Sequence, residues 1–223
     1  MKVSIALLTL VAVLIVAHGH VASAANPAAP EGLTRISSKN FDSVYVRPGA
    51  DLRAYSKVMI EPAMVEFRGD WMRYMNNARE TSQRIGSKEA QEIANDTRSW
   101  MDHALNETFA ANGYKVVGVA EPNTLRLLPK IADLYVNAPD RLSPGRRTIL
   151  TTDAGAATLT LEARDAVTNA LIIAITDRRT AARIGGLTPA SDVSNRSDFS
   201  RVFTQWATNC LTEIKTTTLP TSR

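Results

Sequence analysis

Residues 157–176 have the sequence ATLTLEARDAVTNALIIAIT, which predicts a β-hairpin at the centre of a sheet. Apolar and polar residues alternate from 157 to 164, a pattern typical of a strand with one buried face. Residues 171–176 are apolar on both faces, as in a strand that is covered on each side. Asp165 can accept hydrogen bonds from the backbone ahead of it, and Asn169 tolerates a positive φ. These two residues therefore predict the turn.

Two long amphipathic helices are predicted on either side of this hairpin in the chain. The first begins at Ser87 and stops at Asn112-Gly113, since glycine takes the left-handed conformation without penalty. The second is expected to begin at Asp198 as its N-terminal cap. Apolar residues recur at three- and four-residue steps in both, as on one face of a helix. In the second helix they are Phe199, Val202, Phe203, Trp206, Cys210 and Ile214.

Three further strands are expected at 57–67, 114–119 and 124–136. In the first and the last of them, the buried side switches between odd and even positions. A proline lies near each switch, and proline cannot donate a hydrogen bond to a sheet. We therefore expect a bulge or an edge position at Pro62, and a bulge near Pro129.

This order of elements indicates an α+β fold. We expect two amphipathic helices packed on one face of a mixed, mainly antiparallel sheet of about five strands. Two long loops, 137–156 and 183–197, interrupt the pattern. Loops of that length in a compact domain are often functional.

The first 24 residues are typical of a secretory signal peptide. Met1 and Lys2 form a positive start, residues 3–17 are almost all apolar, and Ala22-Ser23-Ala24 suits cleavage after Ala24. An uncleaved N-terminal anchor is the alternative. We expect an extended segment at 25–54, a single α+β domain at 55–216 and a polar tail at 217–223. The expected location is the periplasm or the cell exterior, with no transmembrane segment after cleavage.

The residue types limit the chemistry that is available. The chain has 223 residues, a net charge of +4, three histidines and one cysteine. After cleavage, His103 and Cys210 are too few for an ordinary zinc site, and the charge is too small and scattered to indicate nucleic-acid binding. We therefore predict no catalytic residue, metal ligand or cofactor. A glycosidase-type carboxylate pair remains open, since acidic residues lie on predicted strands at Glu61, Glu66, Asp133 and Glu162.

A basic cluster is the candidate binding site. Arg178, Arg179 and Arg183 lie close together in sequence, and Arg146 and Arg147 lie in the preceding long loop. Guanidinium groups bind carboxylates and phosphates through their planar fork. The cluster could meet an anionic lipid head group, an anionic glycan or an acidic protein, and ordinary surface charge is the alternative.

Cys210 lies on the apolar face of the second helix, so we predict a buried thiol rather than a disulfide between chains. No cysteine follows Ala24 at the expected cleavage site, so the sequence offers no acceptor for a lipid there.

Three short segments are similar to a known family. They are YVRPGADL at 45–52, YSKVMIEP at 55–62 and FTQWA at 203–207. With them, the chain resembles domain-of-unknown-function family 3313, bacterial proteins that are mostly labelled lipoproteins, over Leu33 to Ile214. The resemblance implies a bacterial envelope protein and supplies neither a reaction nor a site. The missing acceptor cysteine is a departure from the lipoprotein pattern.

The sequence thus favours a non-enzymatic periplasmic module that binds an envelope protein or glycan. A self-assembling structural subunit and a secreted hydrolase with a carboxylate pair are the alternatives. An exposed strand edge or the two long loops would make the contact.

Overall fold

The computed structural model describes residue 30 and residues 32–217, except 78, 80, 82–83, 138–149 and 190. The expected signal peptide and the last residues of the polar tail lie outside the described residues. The strands are β1 (Thr34–Ile36), β2 (Ser43–Val46), β3 (Lys57–Ile60), β4 (Met64–Phe67), β5 (Lys115–Val116), β6 (Thr124–Val136), β7 (Leu150–Thr151), β8 (Asp153–Asp165), β9 (Leu171–Ala182) and β10 (Thr188–Pro189). The helices are α1 (Trp71–Asn76), α2 (Ser87–Ala111) and α3 (Asp192–Thr216), with a 3-10 turn at Leu52–Ala54.

Eight strands form one mixed sheet in the order β1-β2-β9-β8-β6-β3-β5, and β4 pairs with β6 beyond the end of β3. Pairs from β1 to β6 along this order are antiparallel, whereas β3 and β4 run parallel to β6, and β5 runs parallel to β3. The α+β class is confirmed, but the expected number of about five strands is wrong. Residues 34–46 add two strands, and the strand expected at 57–67 is split in two.

The central hairpin is confirmed, with longer strands than its periodicity indicated. The expected cover on both sides of β9 is wrong, since Ala174 and Thr176 are only half-buried. Oδ1 of Asp165 accepts hydrogen bonds from the backbone N–H of Val167 at 3.1 Å and of Thr168 at 2.7 Å. Asn169 has a φ of 58°. A short polar side chain and one left-handed residue therefore close the turn between β8 and β9.

At Pro62 the strand expected over 57–67 is broken into β3 and β4, and α2 stabilises this break. Val58 and Ala63 are both buried on the helix side, although one is even-numbered and the other odd-numbered. The N–H of Ala63 donates to Oδ1 of Asp102 at 2.8 Å, and Nε of Arg98 donates to the carbonyl of Ala63 at 3.0 Å. Side chains of α2 thus replace the hydrogen bonds that a continuous strand would make.

The second bulge is not at Pro129, where we expected it. Pro129 pairs in regular register with Leu161, and the register shifts only between Ala132 and Tyr135. Asp133 is exposed and has a φ of 48°, so it is the extra residue that returns Leu134 to the buried side.

The two long helices pack against each other and against one face of the sheet. Their apolar stripes and the helix side of the sheet form one core, which includes Met101, Leu105, Phe109, Leu125, Leu127, Ile131, Leu159, Leu161, Ile173, Ile175, Phe203, Trp206 and Ile214. This arrangement confirms the two predicted helices, and within the part of the chain that the structure describes it leaves the other face of the sheet without a long helix.

The start of α3 differs from the expectation. The helix begins at Asp192 and not at Asp198, and Ser191 is its cap, accepting from the N–H of Ser194 at 3.0 Å. The apolar stripe starts only at Phe199, so periodicity placed the helix start too late. Ser87 is the first residue of α2, as expected, and Gly86 is its cap.

Candidate binding face of the sheet

One face of the sheet is covered by α2 and α3, and no other long helix of the described residues covers the opposite face. We call this second surface the open face. Side chains there alternate with the buried ones along three strands and are half-buried or exposed. They are Arg126, Leu128, Lys130 and Ala132 of β6, Thr158, Thr160, Glu162 and Arg164 of β8, and Ala174, Thr176 and Arg178 of β9.

A hollow of about 420 Å³ lies on the open face, beside the break between β3 and β4. It is lined by Glu61, Pro62, Met64, Arg126, Leu128, Pro129, Lys130, Thr160 and Glu162. Leu128, Pro62 and Met64 supply apolar surface, and the side chain of Met64 belongs to an edge strand and is exposed. The hollow thus combines an apolar floor with a charged rim.

Charged side chains of both signs surround the hollow and form ion pairs with one another. Nε of Arg126 lies 2.8 Å from Oε1 of Glu61, and Nζ of Lys130 lies 2.8 Å from Oε1 of Glu66. Exposed pairs of this kind contribute about 0–1 kcal/mol each to stability. The fold therefore gains little from them, and their chief effect is a surface with both signs of charge.

Two of the acidic residues considered for a hydrolase line the same hollow. Glu61 accepts from Arg126, and Glu162 accepts from Nη2 of Arg164 at 2.7 Å. Each of these two carboxylates therefore already has a guanidinium partner within the protein.

The three described arginines of the predicted basic cluster do not lie together. Arg178 lies on the open face and donates to Oγ1 of Thr158 at 3.2 Å. Arg179 lies on the opposite side of β9, where its Nε is 2.6 Å from Oδ2 of Asp177. Arg146 and Arg147 are outside the described residues. Of these arginines, Arg178 alone contributes to the described part of the open face.

Arg183 is buried, with 8% of its surface exposed. Its guanidinium donates to Oγ1 of Thr151 and to Oδ1 of Asn195, each at 2.9 Å, and lies 3.4 Å from a carboxylate oxygen of Asp198. These contacts hold the end of β9 to the start of α3. The binding role of the five arginines as a group stays a prediction.

Sequence reasoning did not identify Arg126, Leu128 or Lys130 as site residues. The change of the buried side from even to odd positions at Pro62 was a signal for two of their partners. It places odd-numbered Glu61 and even-numbered Glu66 on the same face. Their partners on β6 depend on strand register, which the sequence alone does not define.

The remaining reactive residues lie away from the hollow. His103 is exposed on α2, and its Nε2 is 3.7 Å from Oε2 of Glu107. Cys210 is buried as predicted, and burial raises the pKa of its thiol. Within the described ranges, no cluster of histidine, cysteine or acidic side chains could hold a metal ion. No helix in the part of the chain that the structure describes is long and apolar enough to cross a membrane.

These features define a two-layer α+β protein with one open sheet face. The chain belongs to the family described as protein of unknown function (DUF3313), which matches residues 26–210. This match confirms the resemblance seen in the sequence. No curated protein matches the chain.

Several solved structures share a distant likeness with it. The PelC dodecamer from Paraburkholderia phytofirmans is 15% identical with a TM-score of 0.36, over 78% of this chain and 98% of that one. A Xanthomonas campestris protein of family DUF330 is 9% identical with a TM-score of 0.38, over 70% and 82% of the two chains. A neuraminyllactose-binding hemagglutinin homolog from Helicobacter pylori is 12% identical with a TM-score of 0.36, over 74% and 86%. TM-scores of this size carry no functional inference.

Proposed function

We propose that this chain is a non-enzymatic binding module of the bacterial cell envelope, and that its open face binds a protein. The single observation that carries the proposal is the open face with its hollow. An antiparallel sheet can leave one face to water. A purely solvated face, however, has no need of Leu128 and Met64 beside a hollow of about 420 Å³.

The pattern of charge favours a protein over the other envelope ligands. Arg126 and Lys130 lie beside Glu61, Glu66 and Glu162. An anionic glycan or lipid head group would meet the three carboxylates as well as the two cations. A protein surface can present charges of both signs and an apolar side chain for the hollow, as interfaces commonly do.

The envelope location is supported by the signal peptide predicted at residues 1–24. The absence of an enzymatic role is supported by the ion pairs of the carboxylates in the hollow.

Site-specific photo-crosslinking in living cells tests the proposal. A photoreactive amino acid replaces Thr160 in the hollow, and in a matched control it replaces exposed Thr212 on α3. We expect one protein to be crosslinked from position 160 and not from position 212. The purified pair should bind in vitro, and Leu128→Trp, which fills the hollow, should weaken that binding at least about tenfold.

Three results would contradict the proposal. Equal crosslinking from both positions would remove the open face as the site. Crosslinks only to a second copy of the chain would favour the self-assembling subunit. Turnover of an envelope substrate by the purified protein would show an enzyme.

A further inference from the structure

Four exposed aliphatic side chains lie on the segments around β7, β10 and the start of α3. β9 is followed by residues 184–187, and β10 then pairs with β7 through Thr188–Thr151 and Pro189–Leu150. The exposed fractions are 54% for Leu150, 80% for Ile184, 64% for Leu187 and 80% for Val193 in the first turn of α3. We call these four residues the apolar tip.

Hydrogen bonds hold the residues on both sides of the apolar tip in place. The backbone N–H of Arg183 donates to the carbonyl of Thr152 at 2.9 Å, and its buried guanidinium bonds to Thr151 and Asn195. Nδ2 of Asn195 in turn donates to the carbonyl of Asn137 at 2.8 Å. Gly185 and Gly186, with φ of 93° and 85°, let the chain turn between the two fixed ends.

The tip and its surroundings fit a lipid surface. A projecting turn cannot enclose a ligand, but it can enter a soft apolar phase. Its side chains are all aliphatic, whereas the centres of protein interfaces are enriched in aromatic residues and arginine. Exposed Arg196 lies one helical turn after Val193 and pairs with no described residue. Aliphatic side chains that enter the acyl boundary and cations that meet anionic head groups are two contributions by which proteins bind at a membrane surface.

We propose that the apolar tip inserts into the surface of an anionic lipid bilayer and that Arg196 contacts the lipid phosphates. This site is separate from the open face and does not depend on the function proposed for it. Ile184 and Leu187 would supply most of the buried apolar surface, since they occupy the turn itself.

Vesicle flotation of the purified protein tests this proposal. The vesicles are phosphatidylcholine alone or phosphatidylcholine mixed with phosphatidylglycerol. We expect the wild type to float with the mixed vesicles. The double variant Ile184→Ser/Leu187→Ser should lower the partition coefficient about a hundredfold, because two aliphatic side chains no longer enter the bilayer. Arg196→Gln should lower binding to the mixed vesicles by about tenfold or less.

The matched control is Val119→Ser/Val167→Ser, which removes two aliphatic residues that are 63% and 62% exposed elsewhere. This control should float as the wild type does, and so should Leu128→Trp on the open face. The proposal is overturned if the wild type does not float, or if the control loses binding as the tip variant does. It is also overturned if sedimentation shows an oligomer that the tip variant turns into a monomer, since the tip would then be a protein interface.

Discussion

The indole Nε1 of Trp206 donates a hydrogen bond of 2.7 Å to Oδ2 of Asp177. This bond joins α3 to β9 on the helix-covered face of the sheet. Nε of Arg179 lies 2.6 Å from the same oxygen, and the N–H of Asp42 donates to the other oxygen at 3.2 Å. Asp177 is 5% exposed, so this buried carboxylate depends on all three donors.

Asp177→Ala should lower the free energy of unfolding by about 3–5 kcal/mol, because it leaves the indole N–H and Nε of Arg179 without their acceptor. Urea denaturation at neutral pH measures this change. Arg178→Ala is the control, since that exposed side chain lies on the other face of the same strand; its effect should stay within about 0.5 kcal/mol. Equal stability of the two variants would show that the buried contact contributes nothing.

Gly155 has a φ of 138°, and a Cβ there would lie 1.8 Å from the carbonyl oxygen of Tyr135. Gly155→Ala should therefore cost at least about 3 kcal/mol or prevent folding, since the obstacle is backbone and cannot rotate away. Gly118→Ala is the matched control, because nothing lies within 4 Å of its added methyl group. Thermal unfolding measures the melting temperature of both variants. A Gly155→Ala variant with the same melting temperature as the control would contradict the close approach of Gly155 to Tyr135.

The sequence predicted the parts of the fold in which one periodicity runs without interruption. The hairpin around Asp165 and the stripe of α3 from Phe199 onward are examples. The bulge in β6 was misplaced because Pro129 fits a regular strand pair, whereas Asp133, which causes the shift, resembles any solvent-facing residue. The start of α3 was misplaced because its first turns carry no apolar stripe.

The candidate site was less predictable than the fold. Neighbours in sequence, such as Arg178 and Arg179, point to opposite faces of one strand. Neighbours in space, such as Glu66 and Lys130, come from strands whose register depends on the break at Pro62. Recognising the charged rim therefore required the pairing of β4 with β6.

Loss of hydration raises the pKa of Asp102, against the lowering effects of the Ala63 N–H and of Arg98. A raised pKa in the folded state means that the charged carboxylate is less favourable there than in the unfolded chain, so its penalty disappears as pH falls through the folded pKa. Asp102→Asn keeps an acceptor for the N–H without the charge.

We therefore expect Asp102→Asn to be at least as stable as the wild type at neutral pH. Asp102→Ala should lose about 1–3 kcal/mol, because the Ala63 N–H loses its partner. Urea denaturation measures the free energy of unfolding of both variants and of the wild type. If the asparagine variant is as unstable as the alanine variant, the charge itself stabilises the break in the strand.

The turn at Asp165 gives the protein a specific sensitivity to acid. Hydrogen bonds from the backbone N–H of Thr168, and then from its hydroxyl and from Tyr55, lower the pKa of Asp165. The hydroxyl of Tyr55 donates to Oδ2 at 3.1 Å, and its own pKa is raised to about 12, first by burial and then by this contact. A lowered folded pKa means that the ionised carboxylate stabilises the fold above its unfolded pKa, and that this contribution is lost as pH falls through the folded value.

Asp165→Asn should be less stable than the wild type by about 1–2 kcal/mol at pH 7, because an amide oxygen accepts from these donors more weakly than a carboxylate does. The difference should narrow as pH falls from about 5 to below about 4, since protonation removes the advantage of the wild type. Urea denaturation over this range measures it. Asp96→Asn, on the exposed side of α2, is the control and should be about as stable as the wild type at neutral pH. A gap between Asp165→Asn and the wild type that stays constant over the whole range would mean that the turn is held by residue shape and not by the charge of Asp165.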